Sequence, residues 1–322
     1  PFPEIQTRSS SQNRSASVVA ILIFIVLAAL AFLLIVTSGG EGVINVLALP
    51  LLFFPVVVVH ELGHLVLGLC ARFRLSSIQF GPIQISPPFG LSWNIRRKTG
   101  LAGLVRMLPT RTENLRSRAV IFLLGGPAAN LLTGLLILYV AGPEMALLRA
   151  FAALSLLIGG INLLPFQTSA HASDGKRITM LLRNGQQGER WLVMLQLVDD
   201  LYNGTPAEDL SPEFLARATA ITDDTPDTVA AFAIAYSSAW YRDDNEAARL
   251  LEICLKHCGA SPIGMREALQ CDAAVFQARK RKRVDLARLW LNDLPEKPQL
   301  PAARLRGEAA ILEAEGDIRG AL

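Results

Sequence analysis

From Val56 to Leu69 the chain reads Val-Val-Val-Val-His-Glu-Leu-Gly-His-Leu-Val-Leu-Gly-Leu, a His-Glu-x-x-His box inside a run apolar enough to lie in a bilayer. In hydrocarbon such a run can only be helical, because each backbone polar group must find its partner within the segment. Residues four apart on a helix share a face, so His60 and His64 can bind one metal ion from one side. Two neutral imidazoles on adjacent turns suit Zn²⁺, and Glu61 projects close enough to act on a water at the ion. A soluble helix could carry two surface histidines by accident, but not with valine and leucine all around them. Ionisable groups are costly in hydrocarbon, so three within five positions mark a functional site.

The rest of the chain agrees with a membrane setting. Of 322 residues, 51% are hydrophobic, and the mean hydropathy is +0.36. That is too apolar for an ordinary soluble domain. The apolar residues concentrate before about residue 165, and the remainder of the chain reads as charged and helix-rich. The net charge of +3 is too small to argue for nucleic acid. Four cysteines (Cys70, Cys254, Cys258, Cys271) in so long a chain do not form a disulfide framework and fit a reducing compartment. Cys254, His257 and Cys258 at helical spacing read as packing positions rather than a second metal site.

Residues 1–17 are polar and Ser-rich, and a flexible N-terminal segment is expected there. Val18–Val36 is long enough to span a membrane. It is longer than a signal-peptide core and no Ala-x-Ala site follows, so it reads as a retained first span. The second span, 43–69, carries the His box, and Pro50 and Pro55 predict a kink or unwound turn just before it. His60 lies about nine residues from the far end, roughly 13–14 Å along the helix. Ala119–Val140 is the third span, where Gly126, Asn130 and Gly134 form a small and polar stripe that lets another helix come close. Asn130 needs a partner there, and the metal helix is the candidate. The fourth span is 146–164, with Arg149 able to snorkel near its outer end.

Between the second and third spans, 70–118 carries Arg72, Arg74, Arg96, Arg97, Lys98, Arg106, Arg111, Arg116 and Arg118 against Glu113 alone. The positive-inside rule places this segment in the cytoplasm, and with four spans both termini as well. Within it, Ile78-Gln-Phe80, Gly81-Pro82 and Ile83-Gln-Ile85 alternate about a turn, which predicts an amphipathic β-hairpin at the membrane surface. Gly103–Leu108 reads as a further short strand.

After a membrane domain of 18–185, residues 186–322 read as a soluble helical domain. The stretches opening at Asp243, Arg283 and Gly316 look alike, and Ala248, Ala287 and Ala321 are spaced near the period of tetratricopeptide-type helix pairs. Ala231–Ala235, Ala273–Phe276 and Ala309–Leu312 would lie in the preceding helices. The region resembles a tetratricopeptide-like array without that family's full signature. The start at Pro1 and the end at Leu322 inside an apparent repeat lead us to expect a piece of a longer protein.

A catalytic zinc usually has three protein ligands and an open position. Asp174, just past the fourth span where the chain turns on Gly175, is one candidate for the third; His171 is the other. His60-Glu61-x-x-His64 in one span, Gly-Pro-x-x-Asn130 in the next, and Asn162-x-x-Pro165 followed by Asp174-Gly175 together resemble the site-2 protease family of intramembrane zinc metalloproteases, over about residues 43–185. The resemblance implies a three-helix core in which His60, His64 and Asp174 hold zinc, Glu61 is the general base, and Asn162 contacts the substrate backbone. It also implies that the basic hairpin takes up an unfolded substrate segment as an added strand, which is physically sensible. One departure stands out: Gln167–Ser173 intervenes where the common motif runs straight from the Asn-x-x-Pro turn to Asp-Gly.

The expected fold is therefore mainly α: a polytopic membrane bundle of about four spans with a small membrane-associated β-hairpin, followed by a cytoplasmic helical repeat-like domain. The expected activity is zinc-dependent hydrolysis of a transmembrane protein or peptide substrate in or near the bilayer. Asn162 and Asn130 are candidate substrate-binding residues, and the helical domain would bind a protein partner. The alternative is an inactive membrane-anchored helical-repeat scaffold, with the insertion before Asp174 as its motive. An ion transporter would need polar positions spread over several spans, and here they cluster at one box.

Overall fold

The His box lies in α1 (Gly42–Cys70), an unbroken helix. It runs through Pro50 and Pro55, where the sequence predicts a kink or unwound turn. A proline removes one ladder bond, but in an apolar run the remaining amides have nowhere better to go than the helix. This computed structural model describes residues 42–81, 83–87, 90–93, 103–167, 172–295, 298, 300–317 and 320. The expected flexible segment 1–17, the expected first span 18–36 and His171 lie outside the described residues.

Two further long helices follow, α2 (Leu115–Val140) and α3 (Ala146–Leu163). Among the described residues three segments are long and apolar enough to cross a membrane: Leu51–Cys70, Leu115–Val140 and Ala146–Leu163. All three helices pack on one another. Small residues set how closely. A Cβ on Gly63 would strike the Gly125 carbonyl and Ala129, and one on Gly134 would strike Leu156 and the Ala152 carbonyl. Without a hydrophobic drive between helices in lipid, such close approach is what holds them.

Between α1 and α2 the chain forms β1 (Phe73–Phe80), β2 (Ile83–Ser86), β3 (Gly90–Trp93) and β4 (Gly103–Pro109). The expected hairpin is present, with Ile78 opposite Ile85 and Phe80 opposite Ile83. It is part of a four-stranded antiparallel sheet of order β3-β2-β1-β4. A hairpin alone is marginal in water. β4 covers the second edge of β1, from Phe73 opposite Pro109 to Phe80 opposite Gly103. Phe73, Ile78, Val105 and Met107 turn one face of the sheet onto Leu115, Ala119, Phe122 and Leu123 of α2. The Arg118 guanidinium ties the strand ends to the helices: Nε donates to the Ala71 carbonyl (2.7 Å), Nη2 to that of Arg72, and Nη1 to those of Arg111 (2.8 Å) and Glu113 (3.2 Å).

After α3 come α4 (Asp174–Leu182) and α5 (Gln186–Tyr202). Leu181 and Leu192 join the core under the sheet, and Arg116 pairs with Glu189 at 3.3 Å. The chain divides into two compact units between Asp199 and Asp200, so most of α5 goes with the spans, although the sequence places residues from 186 in the following domain.

The second unit is helical: α6 (Pro212–Ala218), α7 (Pro226–Ala239), α8 (Asp244–His257), α9 (Ile263–Arg279), α10 (Val284–Asn292) and α11 (Pro301–Glu315). Its boundaries follow local chemistry. Thr225 and Asp243 cap α7 and α8 with their side chains, and Gly316, at φ +89°, ends α11. α7 packs on α8, and α9 on α10 and α11. Leu251, Cys254, Leu255, Ala273 and Phe276 form one core, and Ala274, Ala287, Leu291 and Ile311 belong to a second. Cys254 and Cys258 are wholly buried, while the His257 Nδ1 pairs with Asp224 at 2.8 Å.

Candidate metal centre

His60, Glu61 and His64 are buried in α1. Four residues apart, His60 and His64 bring their Nε2 atoms to 3.2 Å from each other. Asp174, the first residue of α4, completes the group: its Oδ2 lies 3.2 Å from His60 Nε2 and 3.4 Å from His64 Nε2. Among the described residues this is one group of His, Cys, Asp and Glu able to hold a metal ion.

The orientation of each ligand has a cause. The His64 Nδ1 lies 3.0 Å from the Phe122 carbonyl. A carbonyl can only accept, so Nδ1 carries the hydrogen and Nε2 presents a lone pair. Asn130 of α2 is wholly buried, and its amide lies 3.2 Å from His60 Nδ1. For His60 to offer Nε2, Nδ1 must be the donor, and the Asn130 amide accepts when Oδ1 is the atom turned toward the ring. Ser155 of α3 donates to the Asn130 backbone carbonyl at 3.0 Å and fixes α2 at that point. Gly126 leaves the space that the imidazoles fill, since a Cβ there would strike both Nε2 atoms.

Two imidazole lone pairs and a carboxylate oxygen converging in a buried place repel unless something positive lies among them. A tetrahedral zinc about 2.0–2.1 Å from its ligands spaces them about 3.3 Å apart. The three observed edges, 3.2, 3.2 and 3.4 Å, match the face of such a tetrahedron. The donor set fits a divalent cation, with a fourth direction left for water or substrate. A carboxylate ligand must be ionised, and a cation among the three atoms would favour that form of Asp174.

The Glu61 carboxylate lies at the end of β4. It is hydrogen-bonded to the Val105 backbone, and a Cβ on Gly103 would strike its Oε1. Among the described residues β4 is the outermost strand on that side of the sheet, so the edge of the described sheet passes the carboxylate.

Residues 48–144 match the family model of Peptidase family M50. The match takes in the His box, the sheet and Asn130 and stops before Asp174, so Asp174 rests on the geometry alone. No curated protein and no solved structure matches the chain.

The structure thus brings His60, His64, Asp174 and Asn130 together, with Glu61 on the same helix. The Asn162 side chain donates to the Ile158 carbonyl of its own helix at 3.1 Å. The sequence reading missed Ser173 and Phe122. Ser173 does carry a signal, since a serine preceding Asp-Gly is a helix cap. Phe122 acts through its backbone and leaves no trace in residue type.

Proposed function

We propose that the unit carrying the spans is an intramembrane zinc metalloprotease that hydrolyses a peptide bond of a transmembrane protein substrate in or near the bilayer. The observation that carries the proposal is the triangle of His60 Nε2, His64 Nε2 and Asp174 Oδ2 beside Glu61, on helices apolar enough to cross a membrane. The match to Peptidase family M50 points to the same chemistry. His60, His64 and Asp174 would hold the zinc. Bound there, the ion polarises a carbonyl and lowers the pKa of water.

Asn130 and the Phe122 carbonyl hold the two imidazoles in register. Glu61 takes the proton of the attacking water on its carboxylate and passes it to the leaving amine nitrogen. A transmembrane helix hides its carbonyls in its own hydrogen bonds, so the substrate must first unwind. An extended segment lying along β4 would run past Glu61, which is how the sheet would serve the reaction. Asn162 would contact the substrate backbone after turning from its present bond to Ile158. The exposed Arg72, Arg106 and Arg111 lie between the first two described spans and favour a cytoplasmic sheet, with both termini on the same side. The helices after Asp200, in a tetratricopeptide-like array, would dock a protein partner or the substrate's tail.

Reconstitution with a single-span substrate tests this. Glu61→Gln should lower cleavage about 10²–10⁴-fold while leaving bound zinc unchanged; unchanged cleavage would defeat the proposal. The rival reading, an inactive anchor for a helical adaptor, drew on the residues inserted before Asp174. With Asp174 on the histidine pair, that motive is gone.

A further inference from the structure

Between the end of α3 and Asp174 the chain carries more residues than the turn needs, and yet Asp174 arrives on the histidines. The hydrogen bonds explain how. Phe166 and Ser173 face each other as the neck of a loop: the Ser173 N–H donates to the Phe166 carbonyl at 3.0 Å, and the Phe166 N–H to the Ser173 Oγ at 3.2 Å. One step further out, Gln167 and Ala172 form an antiparallel bridge. The Ser173 hydroxyl also donates to the Leu164 carbonyl at 2.6 Å and accepts from the Lys176 N–H at 3.1 Å. A single buried hydroxyl therefore uses its hydrogen and both lone pairs, touching the last turn of the membrane helix, the neck of the loop and the first turn of α4. On the other side of Asp174, a Cβ on Gly175 would strike the Leu163 carbonyl, so α4 sits directly on the end of α3.

We infer that Ser173 is the positioning residue of the third metal ligand: its hydroxyl closes 166–173 into a self-contained excursion, and Asp174 reaches His60 and His64 whatever lies between Gln167 and Ala172. This rests on the metal-centre reading above. It makes the inserted residues neutral toward the ion and makes one serine outside the ligand set essential to it. An N-cap role alone would not do this. Glycine serves nearly as well as serine at an N-cap, but it cannot bond Leu164 or Phe166.

The test titrates the full apo chain in detergent with Co²⁺, reading affinity by chelator competition and geometry from the visible spectrum, with thermal unfolding of the apo protein alongside. Ser173→Gly and Ser173→Ala should weaken Co²⁺ binding about 10–100-fold and alter the spectrum. Ser173→Gly should lower the unfolding temperature no more than Ser173→Ala does, and Ser173→Thr should restore both affinity and spectrum. Replacing the four residues between Gln167 and Ala172 by Asn-Gly, the pair suited to a two-residue hairpin turn, should leave affinity at the wild-type value. Wild-type binding in Ser173→Gly, or loss of the ion in the turn replacement, would overturn the inference. Asp174→Ala reports separately: if it binds Co²⁺ as the wild type does, the metal-centre reading itself has failed.

Discussion

In the unit with the spans, His60, Glu61, His64, Asn130 and Ser155 are buried, while Val66, Leu132, Leu135, Leu136 and Tyr139 are more than half exposed. In the helical unit after Asp200, Leu251, Cys254, Leu255 and Phe276 are wholly buried, and the ion pairs Arg249–Glu246, Arg279–Glu313 and Arg288–Glu315 lie at the surface. Both are packed helices, but the first exposes apolar side chains where the second exposes charged ones. Where lipid is the solvent, apolar side chains gain little by turning inward, so helices meet through glycine and a few polar groups. Where water is the solvent, burying apolar surface drives the packing and charges stay outside. On α1 the buried polar residues His60, Glu61 and His64 thus mark a site, whereas polar residues on the surface of the second unit are ordinary.

That contrast can be broken by substitution. The largest expected effect is Asp174→Ala or His64→Ala, which should abolish tight zinc binding, measured as metal per purified chain, because three ligands become two. Retention of the ion in both would mean that the polar interior of the spans has another purpose. Next, Phe276→Ala should cost about 3–5 kcal/mol in the helical unit and leave zinc affinity unchanged. Chemical denaturation of the full chain beside a zinc titration measures both, and a fall in affinity would show that the units are not separate in energy.

Smaller, and confined to the spans, is Gly126→Ala. The added methyl meets both Nε2 atoms and should weaken zinc about 10–100-fold. Gly160→Ala, where a Cβ meets nothing within 4 Å, should have no effect. Equal affinity in the two variants would refute the close fit of α2 on the histidines. The smallest is Arg279→Ala, an exposed partner of Glu313, expected to change stability by less than about 1 kcal/mol in a thermal melt. A larger loss would place that pair among the interior contacts of its unit.

Legibility in the sequence tracks how local each feature is. The His box, the described spans and the hairpin about Gly81 rest on spacing and turn chemistry within a few residues, and all are present. So are the helices around Ala231, Ala273 and Ala309, of which the first opens on a side-chain cap and the other two do not. The pairing of β4 with β1 was not legible, because it joins residues some thirty apart and depends on which edge of β1 is left open. The helix passes Pro50 and Pro55 with no unwound turn, because each proline removes only one ladder bond and the remaining amides are still best paired within the helix. Asn162 is named by its motif, and its amide donates to the Ile158 carbonyl one turn back in the same helix. The position of Asp174 depended on whether seven extra residues push it away, and only the bonds of Ser173 answer that.

The Arg118 guanidinium holds the carbonyls of Ala71, Arg72, Arg111 and Glu113, which are the two feet on which residues 73–109 stand. With both feet pinned to one side chain, the span of the arch between them is set by its base. One cation thus fastens the exit of the first helix to the entry of the second, and the distance between the two at that end is fixed by the reach of a single guanidinium.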